Sequence, residues 1–85
     1  MNTNIFRESV ATTPREVTTL VNWSFDISDK IELKLKELGM TQKEFAKKMG
    51  KTETEVSRWL SGTHNFTLRT LAKISTVLDV NLITT

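Results

Sequence analysis

The sequence predicts an all-α domain of four to five short helices, two of them meeting across a single glycine. Three observations predict it. The pairs Thr41/Glu44 and Thr52/Glu55 each read as a capping box, in which a hydroxyl and a carboxylate three residues apart satisfy the free backbone donors of a helix start. Gly39 and Gly50 follow apolar-periodic stretches, where a residue in the left-handed conformation ends a helix abruptly. Apolar residues recur at intervals of three and four rather than two, which is helical spacing.

The elements follow in order. The opening dozen residues are polar and without period and read as a mobile arm. Thr13-Pro14-Arg15-Glu16 is a helix start, with Thr13 as cap, Pro14 in the first helical position and Glu16 completing a capping box. Val17, Leu20 and Val21 form one apolar stripe, so a short helix is expected to about Asn22, marginal alone and in need of a docking partner. That partner is its own domain, a twin subunit or another protein. A second helix follows from Ser24, with Ile27, Ile31, Leu35 and Leu38 inward and Gly39 as stop. Asp26/Lys30 and Glu32/Lys36 are favourable pairs four apart on its wet face.

Thr41 then starts a helix with Phe45, Ala46 and Met49 inward, and Thr52 starts one with Val56, Trp59 and Leu60 inward. Residues 61–65 read as a loop. Thr67 caps the last helix, which carries Leu68, Leu71, Ala72, Ile74, Val77 and Leu78 to about Asp79. Residues 80–85 are apolar enough for an extended end or a strand cut short. The domain organisation expected is an arm with a short amphipathic helix over 1–23, a helical domain over 24–80 and a tail over 81–85.

Eighty-five residues allow one small domain and a modest core but no deep catalytic cleft. With no cysteine, thiolate metal sites and thiol catalysis are excluded. His64 is the sole histidine and has no carboxylates clustered around it, which favours a loop hydrogen bond or phosphate contact over a metal or general-base role. No nucleophile–base pairing and no glycine-rich phosphate loop is present, so neither an enzyme nor a cofactor is expected. No apolar run approaches the roughly 18 residues of a membrane span, and the first residues lack the pattern of a secretory signal. A cytoplasmic location is the expectation.

The formal net charge is only +2, so its distribution carries more than its size. Residues 1–23 balance, residues 24–40 are slightly acidic, and the excess lies over 41–62, where Lys43, Lys47, Lys48, Lys51 and Arg58 outnumber Glu44, Glu53 and Glu55. A solvated helix face is the bland account of that excess. The spacing favours a sharper one. Ala46 is small enough for a second helix to cross close over the first, Gly50 makes the turn, and Val56 and Trp59 anchor the second helix in the core. The opposite face of that helix is left free to enter a DNA major groove.

On these residues, together with Thr41-Gln42 at the start and Ser61-Gly62 at the exit, the stretch 26–82 resembles the lambda-repressor-like helix-turn-helix domain of the phage repressor/Cro (XRE) family. More narrowly, WSFDISDKI followed by SRWLSGTHNFTLRTLAKI is similar to HigA-like antitoxins, which are encoded beside a RelE-like toxin that cleaves messenger RNA. The resemblance implies a lambda-repressor-like fold and a transcriptional regulator that binds a double-stranded DNA operator as a homodimer, represses its own operon and neutralises the toxin. Carried over by position, it implies that Thr52, Glu53, Thr54, Ser57 and Arg58 face DNA. Gln42, Lys43, Lys51, Thr63, Asn65 and Arg69 would then hold phosphates along the same edge. Arg58 can offer a fork to guanine, Glu53 can accept from cytosine N4, and Thr54 can touch a thymine methyl. Glu55 is assigned to the capping box rather than to base reading.

Two features depart from the family pattern: the chain ends soon after its fourth domain helix, and its N-terminal extension is longer than a bare domain needs. Val17, Leu20, Val21 and Trp23 on that extension are the candidate partner-binding residues, with Trp23 and Phe25 left open between core lid and exposed contact. The rival function is a protein-interaction module that keeps the scaffold without reading DNA, which Glu53, Glu55 and the low net charge favour.

Overall fold

A computed structural model describes residues 14–83. The proposed Thr13 cap, the arm before it and the last two residues lie outside the described residues. Four α-helices follow one another: α1 (Arg15–Leu38), α2 (Gln42–Met49), α3 (Glu53–Leu60) and α4 (Leu68–Leu78). No strand occurs among the described residues, and the all-α expectation holds. α3 packs on both α1 and α2, and α2 on α4. The core between them is Ile31, Leu35, Phe45, Ala46, Met49, Val56, Trp59, Leu71, Ile74, Leu78 and Leu82.

Chain-local signals set the helix ends. Thr41 and Thr52 both complete capping boxes, with Thr41 Oγ1 accepting from Glu44 N at 3.1 Å and Glu44 Oε1 accepting from Thr41 N at 2.8 Å. Thr67 caps α4 through Thr70 N at 3.2 Å. Gly39 and Gly50 take left-handed φ values of 64° and 69°. Beyond each, the next amide reaches back to close the last turn, Met40 N to Leu35 O and Lys51 N to Ala46 O, both at 2.9 Å. Asp79 ends α4 in the same conformation at φ 52°.

The helix boundary expected at Trp23 is corrected. The two helices proposed on either side of Trp23 are a single 24-residue helix, about 36 Å long at 1.5 Å per residue. Neither Pro nor Gly interrupts the segment, and the stripe Val17, Val21, Ser24, Ser28, Ile31, Leu35 steps by fours and threes without a break. Ser24 opens the second of the two expected helices, yet its Oγ donates to Leu20 O at 2.9 Å and stays within the helix. Pro14 is also one place earlier than proposed, as the capping residue with extended ψ 143°.

Ser24 and Ser28 are buried polar residues on α1. Ser28 Oγ donates to Trp59 O at 2.6 Å, which satisfies the hydroxyl and one of the free carbonyls at the end of α3 together. Small side chains here also let the following loop come close. A β-carbon on Gly62, at φ 87°, would run into the ring of Phe25, so only glycine fits that corner without displacement.

Not every apolar residue at helical spacing is buried. Leu38 is about half exposed, and Leu68, in the first turn of α4, is largely exposed. Ala72 is also exposed. Leu82 instead reaches the core from beyond α4, and residues 80–83 form no strand. The first turns of α1 remain outside the core, and Val17, Leu20 and Val21 stay partly exposed.

Candidate nucleic-acid interface

α3 divides into two faces. Val56 and Trp59 are buried. Trp59 meets Phe45 edge-on at 6.1 Å between ring centroids, a favourable aromatic geometry. The other face carries Glu53, Thr54, Ser57 and Arg58, all exposed. With Gln42 at the start of α2 and Ser61 at the end of α3, these residues line one shallow cleft. The structure thus brings together five of the eleven residues proposed to bind DNA: Gln42, Glu53, Thr54, Ser57 and Arg58. Ser61 was not among those eleven. Its Oγ donates to Arg58 O at 2.7 Å and lies 3.0 Å from Thr63 Oγ1, which ties the loop to the cleft. A hydroxyl one turn beyond Ser57 on the same stripe is the signal that could have found it.

The other proposed residues do not line that cleft. Lys43 follows Gln42 in the first turn of α2, and Lys51 sits in the exposed connection between α2 and α3. Thr52 is the α3 cap, with its hydroxyl committed to Glu55 N at 3.1 Å. Arg69 is exposed in the first turn of α4. Asn65 lines a different groove, beside Trp23 and Phe66. His64 lies edge-on against the Phe66 ring at 4.9 Å, and among the described residues no group of three His, Cys, Asp or Glu side chains could hold a metal ion.

The chemistry of the cleft is polar and of mixed sign. Thr54 and Ser57 offer hydroxyls, Gln42 an amide and Arg58 a five-donor fork, while Glu53 is an acceptor only. Helix starts carry partial positive charge on their free N–H groups, so Gln42 and the first turn of α3 suit an anionic oxygen. Glu55 is engaged at the α3 cap and does not line the cleft. Its carboxylate accepts from Thr52 N at 3.1 Å and from Thr52 Oγ1 at 3.2 Å. The Thr52 backbone hydrogen bond, helped by the Thr52 hydroxyl and by Lys51 and Arg58, holds its carboxyl below the ordinary carboxylate range against opposing desolvation. Glu44 is lowered in the same way by the Thr41 backbone and hydroxyl, with Lys48 contributing.

A pH dependence follows from these two caps. Both carboxyls titrate lower in the folded than in the unfolded chain, so their stabilisation is complete above the ordinary carboxylate range and lost as pH falls through their lowered folded values. Urea midpoints measured from neutral to strongly acid pH should fall across that acid window. The double variant Glu44→Gln, Glu55→Gln should start lower at neutral pH and show a flatter acid limb. An equal acid slope in both proteins would remove the caps from the account.

A family model described as helix-turn-helix matches residues 31–83, more than half of the chain. No curated protein and no solved structure matches it. The matched stretch begins within α1 at the first core residue and contains α2, α3, α4 and Leu82, so it covers every residue of the cleft.

Proposed function

The chain belongs to the helix-turn-helix family of the phage repressor/Cro type, a lambda-repressor-like fold of DNA-binding regulatory domains, and from that premise we propose that it is a sequence-specific transcriptional regulator whose α3 reads a DNA duplex. The observation that carries this reading is the division of α3. One side is locked into the core by Val56 and Trp59, and the other presents Thr54, Ser57 and Arg58 in one cleft with Gln42. A helix held this way can lie in a major groove with its first turn at base edges while the preceding helix start meets a phosphate.

In this reading Arg58, Thr54, Ser57 and Glu53 contact bases, Thr52 stands at the groove edge, and Gln42, Lys43, Lys51, Thr63 and Arg69 hold phosphates. Asn65 is the weakest member, since it lines the groove beside Trp23. One copy makes few contacts, so two copies would bind a two-fold-related operator with half-sites about one helical turn apart. We further propose that the protein represses its own operon and is the antitoxin for a RelE-like toxin. The resemblance to HigA-like antitoxins supports this, as do the first turns of α1, which offer Val17, Leu20, Val21 and Trp23 outside the core.

The experiment is a mobility-shift titration of the full chain with the duplex upstream of its own coding sequence, at several salt concentrations. Binding should weaken steeply with salt, because each phosphate contact releases counterions and a set of about six costs roughly a thousandfold or more between 50 and 200 mM. Adding the product of an adjacent small basic reading frame should supershift the complex or change its affinity. Absence of salt-sensitive binding would instead favour a protein-interaction module. Glu53, which places a carboxylate in the cleft, is the residue that supports that alternative.

A further inference from the structure

Phe25 on α1 touches the exit of α3 without belonging to the core. It is 46% exposed and is neither a core residue nor one of the apolar residues packed against the core. Its ring nevertheless lies against Gly62, where a β-carbon would strike it. Three residues on, the buried Ser28 donates through Oγ to Trp59 O at 2.6 Å. Residues three apart share a helix face, so α1 meets the end of α3 at two neighbouring points, a ring on the turn and a hydroxyl on a terminal carbonyl. The loop adds a third fastening. Ser61 Oγ donates to Arg58 O at 2.7 Å, lies 3.0 Å from Thr63 Oγ1 and accepts from Thr63 N at 3.4 Å.

Resting on the proposed role of α3 in reading a duplex, we propose that Phe25 and Ser28 are positioning residues for that binding, setting through the end of α3 where Arg58 meets the DNA. α3 has only eight residues, so its pose depends on its two ends as well as on Val56 and Trp59. The Thr52 capping box fixes the start. At the other end the last carbonyls have no partner within the helix, and those of Arg58 and Trp59 are taken by Ser61 and Ser28. Arg58 belongs to this last turn, with its side chain lining the cleft. A functional contact has to be held within about 0.5 Å of its productive geometry. A small shift of the α3 exit therefore disables the Arg58 fork while the core stays packed. Gly62, with no side chain of its own, lets the Phe25 ring come close enough to act as a stop for the loop.

A double-mutant cycle in the full chain tests this, with affinity for the duplex upstream of its coding sequence read by mobility shift at low salt, where weakened variants still bind. Phe25→Ala should lower affinity about fivefold or more. Its urea midpoint should stay near that of the unaltered chain, because the ring is outside the core and alanine is the better helix former. Phe25→Tyr keeps the ring and should keep the affinity. In an Arg58→Ala background, Phe25→Ala should cost less than about twofold, since the group it positions is gone. Ser28→Ala should show the same dependence on Arg58, together with a lower urea midpoint from the stranded Trp59 carbonyl.

Equal losses from Phe25→Ala with and without Arg58 would overturn the proposal and leave Phe25 a general support of the fold. An affinity unchanged in Phe25→Ala would overturn it as well, and in both cases the duplex-reading role would stand on the binding of the unaltered chain. Absence of salt-sensitive binding by that unaltered chain would overturn the duplex reading itself, and the positioning role with it.

Discussion

Replacing Trp59 by alanine is expected to cost about 3–5 kcal/mol of folding stability. A domain of this length has only about 4–13 kcal/mol at the usual stability per residue, so the variant should lose most of its folded population on mild heating. The side chain is buried in the core and meets Phe45 edge-on, with Phe66 and His64 also near its ring. Truncation removes that shared aromatic packing and leaves a cavity which four already packed helices can close only in part. The position also matters beyond its volume. Trp59 O accepts the buried Ser28 hydroxyl, so a shift of the α3 end strands a polar group inside. Urea unfolding followed by far-ultraviolet circular dichroism measures the loss. A change below about 1 kcal/mol, within the range of surface substitutions, would show that α3 is not anchored through this residue. The outward placement of Thr54 and Arg58 would then lose its support.

Trp59 also illustrates what the sequence makes legible. Caps and stops are encoded by residues three or four apart, and the two capping boxes and the left-handed glycines at 39 and 50 lie where that local chemistry puts them. The inward faces of α2 and α3 follow from spacing alone. Burial decided at a distance is not legible in this way. Nothing in the spacing of the apolar residues marks Ser24 and Ser28 as buried, and Ser28 finds its partner 31 residues away, at Trp59 O on α3. Leu68 has the right spacing to face inward, but it sits in the first turn of α4, where no helix covers it. The same limit holds for the cleft. The residues within one turn of Arg58 follow from periodicity, whereas Asn65 is implied only by the family resemblance. The loop carries it to the α1 side instead.

The second large effect concerns the duplex. Arg58→Ala is expected to lower operator affinity about 10- to 100-fold per half-site if its fork reads guanine, since a bidentate base contact is worth about 1–3 kcal/mol. A two-fold operator doubles that free energy, so the full site should suffer the square of the half-site loss. Thr54→Ala should act more weakly and be felt at one base position. Neither change should alter the fold, because both side chains are exposed on the face opposite Val56 and Trp59. The pattern of loss separates two roles for Arg58. If the guanidinium meets a base, Arg58→Ala relaxes preference at one operator position and leaves non-specific affinity nearly unchanged. If it meets a phosphate, all sequences weaken alike and the salt slope falls by about one. Glu53→Gln provides the internal contrast. Removing its charge from the cleft should strengthen phosphate-driven binding to any duplex, while discrimination at a cytosine that Glu53 reads should decline. Unchanged affinity in Arg58→Ala and Thr54→Ala at physiological salt would mean that the exposed side of α3 does not meet DNA, and the carboxylate in the cleft would then point to a protein ligand.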